Sequence, residues 1–189
     1  MNTDITLQAA IVPVFILLSC VLAWVCRRQL VNPRCHGFYR FFAFEGTLWL
    51  WLNALPLWHH KLISVAQSLS LLLMVSALGL VVGGVHGLRR HGGVSERQDA
   101  GENFSFENTG TLVTRGIFAH IRHPMYSALL LLNWGLVCKR PELDAIVIAL
   151  LVSGALYLTA RTEEQENHAF FGPCYNEYVK RSSMFLPFI

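Results

Sequence analysis

Charge is what this sequence has least of. Only 14% of its 189 residues are Asp, Glu, Lys or Arg, whereas a soluble domain carries about 25%. The five cysteines, Cys20, Cys26, Cys35, Cys138 and Cys174, form no C-x-x-C pair, so neither a disulfide framework nor a zinc site is suggested and no metal is expected. No phosphate-binding loop is present, and no G-x-G-x-x-G follows a strand, which excludes a soluble nucleotide-binding domain. The start, Met1-Asn-Thr-Asp4, lacks the basic residues that open a signal peptide. What the chain has in quantity is apolar: 53% hydrophobic residues and a mean hydropathy of +0.43. It reads as an integral membrane protein.

Five apolar runs account for that composition, and about 20 residues suffice to cross a bilayer. The first, Ile5 to Cys26, contains Leu17-Leu-Ser-Cys20, which looks like a lipoprotein cleavage site. The acidic start and the Arg27-Arg28 that follows speak for a span instead. The second, Phe41 to Trp58, holds Glu45, a carboxylate about a turn from Arg40 and read as interfacial. The third, Leu62 to Leu88, carries Gly79, Gly83 and Gly87 on one helix face. That stripe suits close packing against another helix of the chain or homodimerisation. Pro124 to Cys138 and Leu143 to Ala160 are the fourth and fifth. The fifth continues as a helix through Glu163, Glu164 and His168 until Gly172-Pro173 stops it.

Between Arg89 and His123 the chain is polar, and a loop of that length is usually functional or disordered. Phe104, Phe106, Leu112, Val113, Ile117 and Phe118 argue for a loop folded over the mouth of the bundle. Orientation follows from the 15 Lys and Arg. With the N-terminus outside, only Lys61, Lys139 and Arg140 face outward, and basic loops stay cytoplasmic. The net charge of +3 is therefore a matter of topology and implies no nucleic acid.

The stretch that organises the rest is Gly116-Ile-Phe-Ala-His-Ile-Arg-His-Pro-Met-Tyr126. It gathers His120, Arg122, His123 and Tyr126 where a basic loop enters an apolar helix. Pro124 suits a first helical turn, and the free N–H groups after it favour an anionic group. A second polar cluster, Arg161, Glu163 and Glu164, lies where the fifth run leaves the membrane. The fourth and fifth runs are joined by a short turn, so they are antiparallel neighbours and the two clusters face each other. Convergent ionisable groups at a membrane edge mark a site; an interfacial salt bridge explains the same facts.

Arg122-His-Pro-Met-Tyr126, a span, Glu163-Glu164, Phe171-Gly172 with Tyr175 and Tyr178, and a closing Phe185-Leu-Pro187 resemble the isoprenylcysteine carboxyl methyltransferases. The related phospholipid N-methyltransferases share the Arg-His-Pro and the distant Glu-Glu. Gly101-Glu-Asn-Phe-Ser105 and Leu112-Val-Thr-Arg-Gly-Ile-Phe118 are similar to the family's approach to its motif. The likeness covers roughly residues 100–189.

The resemblance implies an all-α integral membrane fold: five transmembrane helices, a cytoplasmic cofactor-binding loop and a C-terminal helix. Residues 1–99 would form an N-terminal unit of three helices and residues 100–189 the methyltransferase core. S-adenosylmethionine would be the methyl donor, bound by His120, Ile121, Arg122, His123, Pro124 and Tyr126 with Glu163 and Glu164, and His123 and Glu163 would carry the chemistry. The implied acceptor is lipid-like, an isoprenylcysteine-type carboxylate first and a phospholipid amine or a thiol second, presented among membrane lipids. The chain departs from the pattern in two places: Ala128 stands where the family often has Gly, and the stretch Glu166, Asn167 and His168 where it prefers an aliphatic residue. Two other classes are open, a membrane NAD(P)H-dependent reductase of the sterol-reductase kind and a non-enzymatic interaction protein.

Overall fold

The computed structural model describes residues 2–58, 64–93 and 109–187, with side chains from Ala9 onward. Lys61, Arg97, Phe104, Phe106 and the stretch 101–105 lie outside the described residues, as does the start of the third run. Seven helices form among the described residues: α1 (Asn2–Val25), α2 (Arg27–Leu30), α3 (His36–Ala54), α4 (Val65–His91), α5 (Pro124–Lys139), α6 (Leu143–Phe171) and α7 (Pro173–Lys180). Two 3-10 turns, Leu55–Leu57 and Gly116–Ala119, complete the described structure, and no strand occurs among the described residues.

The five long helices overlap the five apolar runs. Of these, α4 and α6 are long and apolar enough to cross a membrane, and only 17% and 33% of their most apolar windows are buried within the protein. A soluble protein would bury such helices in its core. Instead Leu71, Leu72, Val75, Leu78 and Val82 of α4, and Leu150, Leu151 and Leu158 of α6, face outward. An apolar surface of that extent requires lipid or a partner. This is an all-helical membrane protein.

Local sequence sets the helix ends. The Ser64 hydroxyl caps α4 by accepting the Gln67 N–H at 3.2 Å, and Arg89, Arg90 and His91 close that helix at the negative end of its dipole. Pro124 takes the first turn of α5. Gly172 ends α6 at φ +58°, a left-handed conformation that favours glycine, and Pro173 then opens α7. Helix α3 starts at His36, five residues before the apolar run. The Cys35 sulfur accepts the Gly37 N–H at 3.3 Å, and Glu166 of α6 accepts the His36 N–H at 3.1 Å.

Packing runs in two pairs, α3 on α6 and α4 on α5, with α5 also against α6. A Cβ at Gly46 would lie 2.3 Å from the Val152 side chain, so α3 and α6 meet at that glycine. Gly135 does the same for α5 on α4, where a Cβ would sit 3.3 Å from the Ser70 carbonyl oxygen. Asn133, fully buried, donates to Thr47 at 3.0 Å and to the Leu129 carbonyl at 2.6 Å, tying α5 to α3. Of the glycine stripe, Gly83 and Gly87 face Ile117 and Phe118 of the second 3-10 turn, and Gly79 has nothing within 4 Å. Two of the three thus serve packing within the chain. Glu45 lies mid-helix, accepting the Ser19 hydroxyl of α1 at 2.5 Å with its other oxygen buried, which makes it a link between α1 and α3.

Gly46→Ala is expected to destabilise the bundle, because overpacking of this kind costs typically 1–3 kcal/mol. Gly79→Ala, with open space around it, is expected to change nothing measurable. Thermal unfolding in detergent compares the two; equal midpoints would mean that α3 and α6 do not touch at Gly46.

Candidate active site

The motif loop is pinned from three directions. On its backbone side, the Arg122 N–H donates to the Ser183 carbonyl at 2.8 Å and the His123 N–H to the Met184 carbonyl at 3.1 Å. The Ser183 N–H returns a bond to the His120 carbonyl at 3.0 Å. The segment after α7 therefore runs beside residues 120–123, with an isolated parallel bridge between Ile121 and Ser183. Further along, the Ser127 hydroxyl donates to the Phe185 carbonyl at 2.7 Å.

The second tie is Arg122. Its Nε donates to Glu164 Oε1 at 2.7 Å, and its Nη1 donates to the Val179 carbonyl at 3.3 Å and to the Ser182 carbonyl. Both side chains of the pair are only 9% exposed, so this is a buried ion pair, with Nη1 of the guanidinium held by backbone carbonyls. The third tie is Tyr178, whose hydroxyl donates to the Phe118 carbonyl at 2.6 Å. Burial raises the phenol pKa of Tyr178 to about 12 and raises that of Tyr175 as well. Both stay protonated at neutral pH, as hydrogen-bond donors.

Held in this way, the first turn of α5 faces α6. The Tyr126 hydroxyl donates to Glu163 Oε2 at 2.6 Å. His123 stacks on the Tyr126 ring, with centroids 5.4 Å apart and planes 14° from parallel. Its Nδ1 lies 3.7 Å from Glu163 Oε2 and its Nε2 3.5 Å from Glu164 Oε1. Ring and carboxylates therefore meet as charge neighbours rather than through a formed hydrogen bond.

These groups border a cavity of about 260 Å³. Arg122, His123, Pro124, Tyr126 and Glu163 line it. Glu164 stands behind Arg122; Ile121 is buried under the bridge to Ser183, and His120 meets the tail through its carbonyl. Neither His120 nor Ile121 is a wall residue. Arg161, placed with the Glu pair on sequence, is exposed. Leu112, Val113 and Phe118 of the polar loop do line the cavity, so its described part folds over the bundle mouth.

The rest of the wall comes from residues that the sequence did not mark as site residues, although Phe171, Tyr175 and Tyr178 belong to the motifs of the resemblance and Glu166 and Asn167 to its departures. His36, Arg40 and Phe44 of α3 line the cavity, as do Glu166 and Asn167 of α6 and, with Phe171, the aromatic rings of Tyr175 and Tyr178. His36 Nδ1 contacts Glu166 Oε2 at 2.6 Å. Cys35 joins these two with ligand atoms all within 4.8 Å. Glu166 is committed there to the His36 N–H and ring, as a helix cap. No spacing announces a contact between positions 36 and 166; only the packing of α3 on α6 makes it.

A largely apolar cavity with charged residues of both signs in its wall thus lies at one end of an apolar helical bundle. The family model of phospholipid methyltransferases matches residues 65–172, more than half of the chain. The chain belongs to that family, and is a membrane methyltransferase by that membership. No curated protein and no solved structure matches it.

Proposed function

We propose that the protein transfers a methyl group from S-adenosylmethionine to a lipid-like acceptor at the membrane edge. The observation that carries this reading is the convergence of Tyr126 and His123 on Glu163, in a cavity at the polar end of the bundle. The residues present fit such a donor. Glu163 offers a carboxylate to a cationic group, and Phe171, Tyr175 and Tyr178 offer rings on which a purine can rest.

When bound, S-adenosylmethionine supplies an electrophilic methyl on a sulfonium. The protein's share is then positioning and tolerance of the charge change. Arg122 and Glu164 fix the loop, while His123 and Tyr126 form one wall and hold Glu163 in a single orientation. For an acceptor that must shed a proton, His123 and Glu163 are the groups to receive it; a carboxylate acceptor needs no base. The family's name speaks for a phospholipid, and the likeness to prenylcysteine enzymes for a carboxylate.

The five long helices and the bias of Lys and Arg support five spans, with the N-terminus outside and the site cytoplasmic. A reporter at residue 189 that reads out on the outer side would overturn that orientation. Radiolabelled S-adenosylmethionine, offered with phosphatidylethanolamine vesicles and with a prenylated cysteine, tests the activity. Label in the lipid fraction of either supports the proposal, and the acceptor that takes it decides between amine and carboxylate. Label in neither, from folded protein, counts against a lipid-like acceptor of these two kinds.

A further inference from the structure

Arg40 is the least expected group in the cavity wall. It is only 2% exposed, sits in the first turns of an apolar helix, and lies outside the matched residues 65–172. A guanidinium so placed is costly and calls for a functional reason. The motif's own cation, Arg122, is engaged by Glu164 and two backbone carbonyls, and Arg40 adds a second guanidinium to the wall. Arg40 lies over the Phe44 ring at 5.9 Å and lines the same cavity as the Glu163 carboxylate.

The wall thus presents opposite charges from two helices in direct contact, Arg40 on α3 and Glu163 on α6. An acceptor with a single charge would engage one of them. A zwitterion engages both. We propose that Arg40 binds the α-carboxylate of the donor's amino-acid end, with Glu163 facing its ammonium. The inference rests on the reading of the site as an S-adenosylmethionine pocket. It assigns a cofactor-binding role to a residue of the N-terminal helices.

The test is calorimetric and needs no acceptor. Wild-type protein is titrated with S-adenosylhomocysteine and with its decarboxylated analogue, which keeps the amine and loses the acid. The expected result is at least about tenfold tighter binding of S-adenosylhomocysteine, the scale of a charge-assisted pair. Arg40→Gln should abolish that preference and leave affinity for the analogue within about twofold, a readout that a merely structural residue would not give. Arg40→Lys should restore part of it. Should Arg40→Gln fail to fold, the wild-type ligand pair and Arg40→Lys still decide the matter. Equal wild-type affinity for the two ligands, or equal weakening of both by Arg40→Gln, overturns the assignment while leaving the pocket. Binding of neither ligand overturns the pocket itself, and the inference with it.

Discussion

Arg122→Gln is expected to lower the thermal unfolding midpoint of the detergent-solubilised protein by about 10 °C. The substitution strands Glu164, a carboxylate that is only 9% exposed, and breaking a buried pair from one side costs roughly 3–5 kcal/mol. For a chain of this size each kcal/mol is worth about 2–4 °C. It also releases the carbonyls of Val179 and Ser182, through which the guanidinium holds the C-terminal tail. Adding Glu164→Gln to the same protein should recover a good part of the loss, since the double variant strands no charge. A single variant that melts within about 2 °C of wild type would place the pair at a solvated surface.

Glu163→Gln should do the opposite, sparing the fold and damaging the site. Its side chain is 29% exposed, and an amide still accepts the Tyr126 hydroxyl, so the unfolding midpoint should hold. What disappears is the negative charge that the proposal assigns to the donor's cationic end. Charge-assisted hydrogen bonds are worth about 1.5–3 kcal/mol, so affinity for S-adenosylhomocysteine should fall by roughly ten- to a hundredfold. Unchanged affinity would reduce Glu163 to a structural partner of Tyr126.

The two results separate what was legible in the sequence from what was not. The meeting of Arg122, His123 and Tyr126 with Glu163 and Glu164 was legible because α5 and α6 are consecutive and joined by a short turn. Antiparallel neighbours must bring such ends together, and Pro124 and Gly172-Pro173 marked where those ends lie. His36 and Arg40 gave no comparable signal. Nothing in a sequence states that the second long helix packs on the last, and Arg40 looked like the end of a span rather than part of a wall. The start of α3 was misplaced for the same reason, since part of its cap is Glu166, 130 positions away.

Glycine shows the same division. The regular spacing of Gly79, Gly83 and Gly87 stands out, yet the glycine with least room for a side chain is Gly46, a lone glycine with no pattern around it, where an added Cβ would lie 2.3 Å from Val152. The pairing of the tail with residues 120–123 was equally hidden. Backbone bonds of that kind depend on where the chain returns, not on which side chains it carries.

The central claim is that the cavity between α3, α5, α6 and α7 is a pocket for S-adenosylmethionine. Titration calorimetry of the purified protein with S-adenosylhomocysteine, with NADPH as the control ligand, tests it most directly. One bound S-adenosylhomocysteine per chain, weakened by Glu163→Gln, with no heat from NADPH, is the predicted result. Binding of NADPH with no response to S-adenosylhomocysteine would contradict it.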